Sequence, residues 1–236
     1  MEIKIRYPFD IPPQEAILLQ RKLARRLILQ DDFSKIETIA GCDVTYSKEG
    51  NRCRGIVVIF SFPDMKILKY EEREEMVSYP YIPGLLSFRE APVLLKILEG
   101  IDDVDLLIFD GHGIAHPRRL GLASHLGVVL DKPAIGCAKS PLAGNFTQPP
   151  SQQGSYSYVR KRGKIIGVAL RTKEKVKPVF VSPGHRVSLP TSIEIILSTV
   201  KGYRQPEVTR IPHKLLTNTK NKTLMLIDGT KEIRDL

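Results

Sequence analysis

The strongest constraint in this 236-residue chain is a run of four apolar residues that stops at a carboxylate. Leu106, Leu107, Ile108 and Phe109 follow one another without alternation, and Asp110-Gly111-His112-Gly113 comes next. An unbroken apolar run predicts a strand buried on both faces, as in a parallel or mixed sheet with helices on each side. The chain is therefore expected to be α/β. An acid at the carboxyl end of such a strand stands where open α/β sheets place their ligands. Gly111 and Gly113 let the backbone turn sharply and a ligand come close. His116, Arg118 and Arg119 follow within a few residues. An acid, a histidine and two fixed cations at one sheet edge suggest phosphate chemistry with a metal. Capping of the next helix or turn would account for Asp110 equally well.

Charge narrows the partners. The 36 Lys+Arg against 26 Asp+Glu leave a formal net charge of +10. That surplus favours a polyanion, most commonly nucleic acid, although a thermophile surface rich in Lys, Arg and Glu has the same look. Cys42, Cys53 and Cys137 lie in or beside predicted strands without CxxC spacing, so they read as buried reduced thiols rather than zinc ligands. No apolar run approaches the ~20 residues of a membrane span, and the N-terminus lacks a signal-peptide core. A cytoplasmic, soluble monomer is expected.

Further elements follow from periodicity. Pro12 and Pro13 open an amphipathic helix over residues 14–30, whose polar face carries Arg21, Lys22, Arg25 and Arg26. Residues 36–46, 55–62 and 65–74 read as an antiparallel three-strand meander. Asp43 falls in the middle of its first strand, where an acid is costly to bury unless a metal or a salt bridge pairs with it. SYPYIPG, residues 78–84, reads as a stiff extended loop presenting Tyr81, either as a wedge between bases or as a packed surface turn.

Residues 85–100 have the apolar content of a helix. Ser87 and Glu90 have capping-box spacing, but Pro92 argues against that register. The helix is expected to begin near Pro92, with Glu90 just before it and free to point into a site. Residues 118–130 read as another helix and 133–138 as a short buried strand. Lys139 then repeats the placement of Asp110, just past a strand end. Residues 156–161 and 164–172 form a hairpin around Arg162-Gly163. Residues 179–181 lead into Ser182-Pro183-Gly184-His185-Arg186. Residues 191–200 and 207–216 read as helices, and the charged residues 220–236 as a loosely held tail. One domain over 1–236 is expected, since no linker divides it.

An acid on a meander, a second at a helix start and a third at a strand end together resemble the ribonuclease H-like fold, a mixed central sheet flanked by helices. The motifs GCDVTY around Asp43, PYIPGLLSFRE ending at Glu90, FDGHGIAHPRRLGLASHLG from Phe109 and GCAKSPL around Lys139 go further. With SPGHRVSL and TRIPH they resemble the endonuclease V family, repair enzymes acting on deaminated purines. The resemblance implies that Asp43, Glu90 and Asp110 bind a catalytic Mg²⁺, replaceable by Mn²⁺, with His213 as a further ligand or bordering it. It implies that Lys139 stabilises the charged transition state and that Tyr81 is the wedge. The base pocket would be drawn from Gly84, Leu86, Gly111, Gly121 and Leu122. Arg89, His116 and Arg118 would support the site or grip the strand. The reaction implied is hydrolysis of the second phosphodiester 3′ to deoxyinosine in DNA, leaving 3′-OH and 5′-phosphate ends. The alternatives are an endoribonuclease acting on inosine in RNA, a lesion-binding module without catalysis, and a ribonuclease H-like resolvase or integrase, which the PYIP and DGHG motifs disfavour.

Overall fold

The Leu106–Phe109 run is a strand with all four residues buried. Its side chains alternate between two cores. Leu106 and Ile108 pack on one face of the sheet, and Leu107 and Phe109 on the other. Burial of each such side chain stabilises by roughly 1.5–3 kcal/mol, so the strand anchors both layers. In this computed structural model the described residues are 1–101, 104–217, 226–227 and 230–231.

The meander is β1 (Thr38–Tyr46), β2 (Arg52–Ser61) and β3 (Ile67–Met76), preceded by α1 (Pro13–Ala24). Then come α2 (Leu86–Glu99), β4 (Leu106–Phe109), α3 (Leu122–Leu130) and β5 (Ala134–Ala138). The hairpin β6 (Tyr156–Lys161) and β7 (Lys164–Leu170) leads to β8 (Val179–His185), α4 (Leu189–Ser198) and α5 (Glu207–Thr217). Among the described residues eight strands form one sheet, in the order β3-β2-β1-β4-β5-β8-β7-β6. The pairs β1–β4 and β4–β5 are parallel and the rest antiparallel. Helices α2 and α3 cover one face, and α4 and α5 the other. A mixed sheet between helical layers is the expected architecture. All three cysteines are buried and free, and among the described residues no helix is long and apolar enough to cross a membrane.

Several boundaries differ from the sequence reading. The first helix ends at Ala24 rather than near residue 30. Helix α2 starts at Leu86 and runs through Pro92, so Glu90 lies inside it rather than before it. Pro92 removes one helical bond, but nine side chains of this helix are buried, and their packing outweighs that loss. Ser87 does not cap it; the N-cap is Leu85, without a side-chain bond. Helix α3 begins only at Leu122, because the His116–Arg119 segment turns, with Arg119 at φ +60°. Strand β8 continues through Ser182-Pro183-Gly184-His185. Pro183 is tolerated there at an irregularity in the pairing with β5. The tail expected over residues 220–236 lies outside the described residues, apart from β9 (Leu226–Ile227) and β10 (Thr230–Lys231).

Candidate active site

Parallel pairing of β1 with β4 puts two acids side by side. Cys42 pairs with Phe109, and the Asp110 N–H donates to the Cys42 carbonyl at 3.1 Å. Asp43, inside β1, and Asp110, just past the end of β4, therefore stand side by side in the middle of the sheet. Helix α5 supplies the next group. Gly41, two residues before Asp43, faces α5, and a Cβ there would lie 1.9 Å from the Val208 carbonyl oxygen. The missing side chain lets α5 settle on β1, which brings His213 Nδ1 to 2.9 Å from Asp43 Oδ2. Donor atoms of Asp43, Asp110 and His213 all lie within 4.8 Å of one another. Lys139, just past β5, sets its Nζ 2.7 Å from Asp110 Oδ2.

Glu90 approaches from the opposite face of the sheet and falls outside that trio of donor atoms. The Tyr46 hydroxyl donates to Glu90 Oε1 at 3.1 Å. Burial first, then repulsion from Asp43 and Asp110, pushes Glu90 up to about 8, against the pull of the Tyr46 bond. Burial and the Asp110 charge also hold Asp43 well above the usual carboxylate range, with His213 pulling the other way. Asp43 and Asp110, with His213 beside them, form a donor set able to hold a cation.

A second cluster organises the loop before α2. Gly84 has φ +80°, a conformation that favours glycine. Its carbonyl accepts from Gln20 Nε2 at 3.0 Å, His116 Nε2 at 3.0 Å and Arg118 Nη2 at 2.6 Å. The Arg118 N–H donates to His116 Nδ1, so the imidazole carries its proton on Nε2. Burial, with the Arg118 charge beside it, pushes His116 down to about 3. It is a neutral clamp, only 3% exposed. Tyr81, three residues before Gly84, is 69% exposed. Arg89 donates to the Tyr79 and Gly50 carbonyls and stacks over the Tyr46 ring at 4.6 Å.

The pocket candidates fall in two groups. Gly84 and the half-exposed Leu86 lie at the entry to α2. Gly111, Gly121 and Leu122 meet along the loop into α3. A Cβ on Gly111 would touch Leu122 at 3.5 Å, and one on Gly121 would lie 2.3 Å from the His112 carbonyl oxygen. Close packing alone thus requires glycine at 121.

Sequence reasoning missed Tyr46, Gln20 and Arg204. Arg204 donates to the Lys139 carbonyl at 2.6 Å and to that of Pro178 at 2.8 Å, fixing the lysine's backbone. Tyr46 was visible: it stands in GCDVTY, on the strand face opposite to Asp43 and therefore toward α2. Gln20 and Arg204 had no local signal.

Comparison with known proteins identifies the family. The profile of the endonuclease V family matches residues 21–214. Endonuclease V of Methanothrix thermoacetophila is 49% identical over 215 residues, 91% of this chain and 95% of the relative. The crystal structure of endonuclease V from Streptomyces avermitilis superposes with a TM-score of 0.83 at 36% identity, covering 91% of this chain and 96% of that one. Ciona intestinalis endonuclease V, solved with a 24mer DNA containing an inosine followed by a ribo-adenosine, gives 0.75 at 28% identity, over 86% and 95% of the two chains. The fold is ribonuclease H-like, and this chain belongs to the endonuclease V family.

Proposed function

We propose that this protein is a metal-dependent endonuclease that recognises deaminated bases in DNA, chiefly deoxyinosine, and hydrolyses the second phosphodiester on their 3′ side. The observation that carries this reading is the convergence of Asp43, Asp110 and His213 within 4.8 Å, with Lys139 paired to Asp110. Asp43, Asp110 and Glu90 would hold the cation, with His213 beside Asp43. When bound there, a divalent cation would supply an acidified water and charge neutralisation at the phosphate. Lys139 offers a point charge to the same phosphate, and Arg204 keeps its backbone in place. Tyr46 and Arg89 orient Glu90 from the α2 side. In the reaction a water oxygen bonds to phosphorus, the P–O3′ bond breaks and the 3′ oxygen takes a proton. The products are a 3′-hydroxyl and a 5′-phosphate.

Recognition falls to the other cluster. Tyr81 fills the stack left by the lesion while the base turns out toward Gly84, Leu86, Gly111, Gly121 and Leu122. His116 and Arg118 act through Gly84, holding the tyrosine loop against the loop that follows Asp110. The ribo-adenosine after inosine in the Ciona complex favours one further reading, cleavage of inosine-containing RNA by the same site.

Tyr81→Ala tests the recognition half. One base–aromatic stack contributes on the order of 1–3 kcal/mol. The variant should lose roughly tenfold of its preference for a deoxyinosine duplex over the matched undamaged duplex, measured by competition binding. Its affinity for undamaged DNA should change less than about twofold. Equal losses on both duplexes would rule out the wedge.

A further inference from the structure

The net charge of this protein is not spread evenly. Residues 132–173 contain eight Lys or Arg and no Asp or Glu. The stretch starts before the active-site lysine and takes in the whole β6–β7 hairpin. At the other edge of the sheet, β3 carries Glu71, Glu72, Glu74 and Glu75. There three of the four glutamates are paired with Arg52, Arg54, Arg73 or Lys96, whereas the hairpin edge carries cations with no acid beside them in sequence.

The basic edge is built rather than incidental. Arg162 at φ +50° and Gly163 at φ +77° form the two-residue turn that matches hairpin twist. That turn holds Arg160, Arg162 and Lys164 together and exposed. The three form no ion pair among the described residues. Tyr156 and Tyr158, each 43% exposed, pack edge to face with centroids 5.6 Å apart. The Arg160 guanidinium lies 5.4 Å from the Tyr158 ring. Beneath this surface, Val159 and Ile166 pack with Ala115 and Ala138. These alanines adjoin His116 and Lys139, so the hairpin rests on both active-site loops. Lys161 fastens it further by donating to the Pro117 carbonyl at 2.8 Å.

We propose that the β6–β7 hairpin is a nucleic-acid grip outside the lesion site. Arg160, Arg162 and Lys164 meet backbone phosphates flanking the cleaved linkage, and the tyrosine pair forms an apolar floor beneath the strand. The occupant follows from charge complementarity: fixed cations at one edge, rings beside them, no acid in the segment. This grip rests on the nuclease reading for its substrate, but its contribution is to affinity and not to base choice or chemistry.

The test is the triple variant Arg160→Gln, Arg162→Asn, Lys164→Gln in the full chain. Asn suits the positive φ at 162, and Lys161 is left in place. Binding is measured with chelator present, on deoxyinosine and undamaged duplexes, across a salt series. Affinity for both should fall about tenfold or more near 0.1 M salt, and the log–log salt slope should shrink by about two to three. The preference between duplexes should persist, and the Mg²⁺-supported cleavage rate at saturating enzyme should stay within about twofold. Unchanged affinity and slope would overturn the proposal, as would a loss confined to the deoxyinosine duplex. If wild type neither prefers nor cuts deoxyinosine DNA, the nuclease reading fails, while the slope on undamaged DNA still decides the grip.

Discussion

Asp43→Ala and Asp110→Ala each lower the single-turnover cleavage rate by at least about 10³-fold and leave the chain folded. Asp43 lies inside β1 and Asp110 just past its parallel neighbour β4, and each faces a different partner. Asp43 meets His213 at 2.9 Å and Asp110 meets Lys139 at 2.7 Å. Removing either acid would take away a donor of the proposed cation site and strand its partner. Folding should survive, because the strands that carry Asp43 and precede Asp110 are held by apolar cores, and because the mutual repulsion of the two acids is relieved. The double variant should be no slower than the worse single variant, since groups acting as a unit are not additive. Either variant retaining Mg²⁺-dependent cleavage within about tenfold of wild type would remove these acids from the mechanism.

Glu90→Gln should show opposite effects on activity and stability. Glu90 is pushed up to about 8 by burial and by its acidic neighbours. Its native pKa lies above the unfolded value, so between about 4.5 and 8 the native state binds more protons than the unfolded chain. Without a cation, stability from this group is present at low pH and lost as pH rises through 8. Gln keeps an oxygen for the Tyr46 hydroxyl and carries no charge. At pH 8.5 with chelator the variant should be more stable than wild type by on the order of 2 kcal/mol, a Tm gain of several degrees. His116 and His125, both held down to about 3 mainly by burial, weaken the fold as pH falls below 6.5, but they do so in both proteins. Cleavage with Mg²⁺ should fall at least about 10²-fold. A variant less stable than wild type at pH 8.5 would mean that Glu90 is held as a stabilised anion.

What was legible in the sequence was local. Leu106–Phe109 announced a two-faced strand, and the acid at its end was placed correctly because the hydrophobic run stops there. Asp43 was found as a charge inside a strand pattern. Glu90 was selected but given the wrong register, since Pro92 was weighted as a helix start and the burial of nine α2 side chains was not visible. Ser182-Pro183-Gly184 lay beyond the strand read over 179–181, whereas pairing with β5 extends the strand through it. The Gly84 cluster joins residues 20, 84, 116 and 118, and no periodicity links positions so far apart. Gly41 carries no local sequence signal of the close approach of α5.

The most direct test of the account is cut-site mapping on a duplex with one deoxyinosine, end-labelled on either strand. Mg²⁺ is added or withheld, and undamaged DNA and inosine-containing RNA are run in parallel. The account predicts one Mg²⁺-dependent nick at the second phosphodiester 3′ to the lesion, with 3′-hydroxyl and 5′-phosphate ends and no cut in undamaged DNA. Tight binding without any nick, or cutting that ignores the lesion, would contradict it.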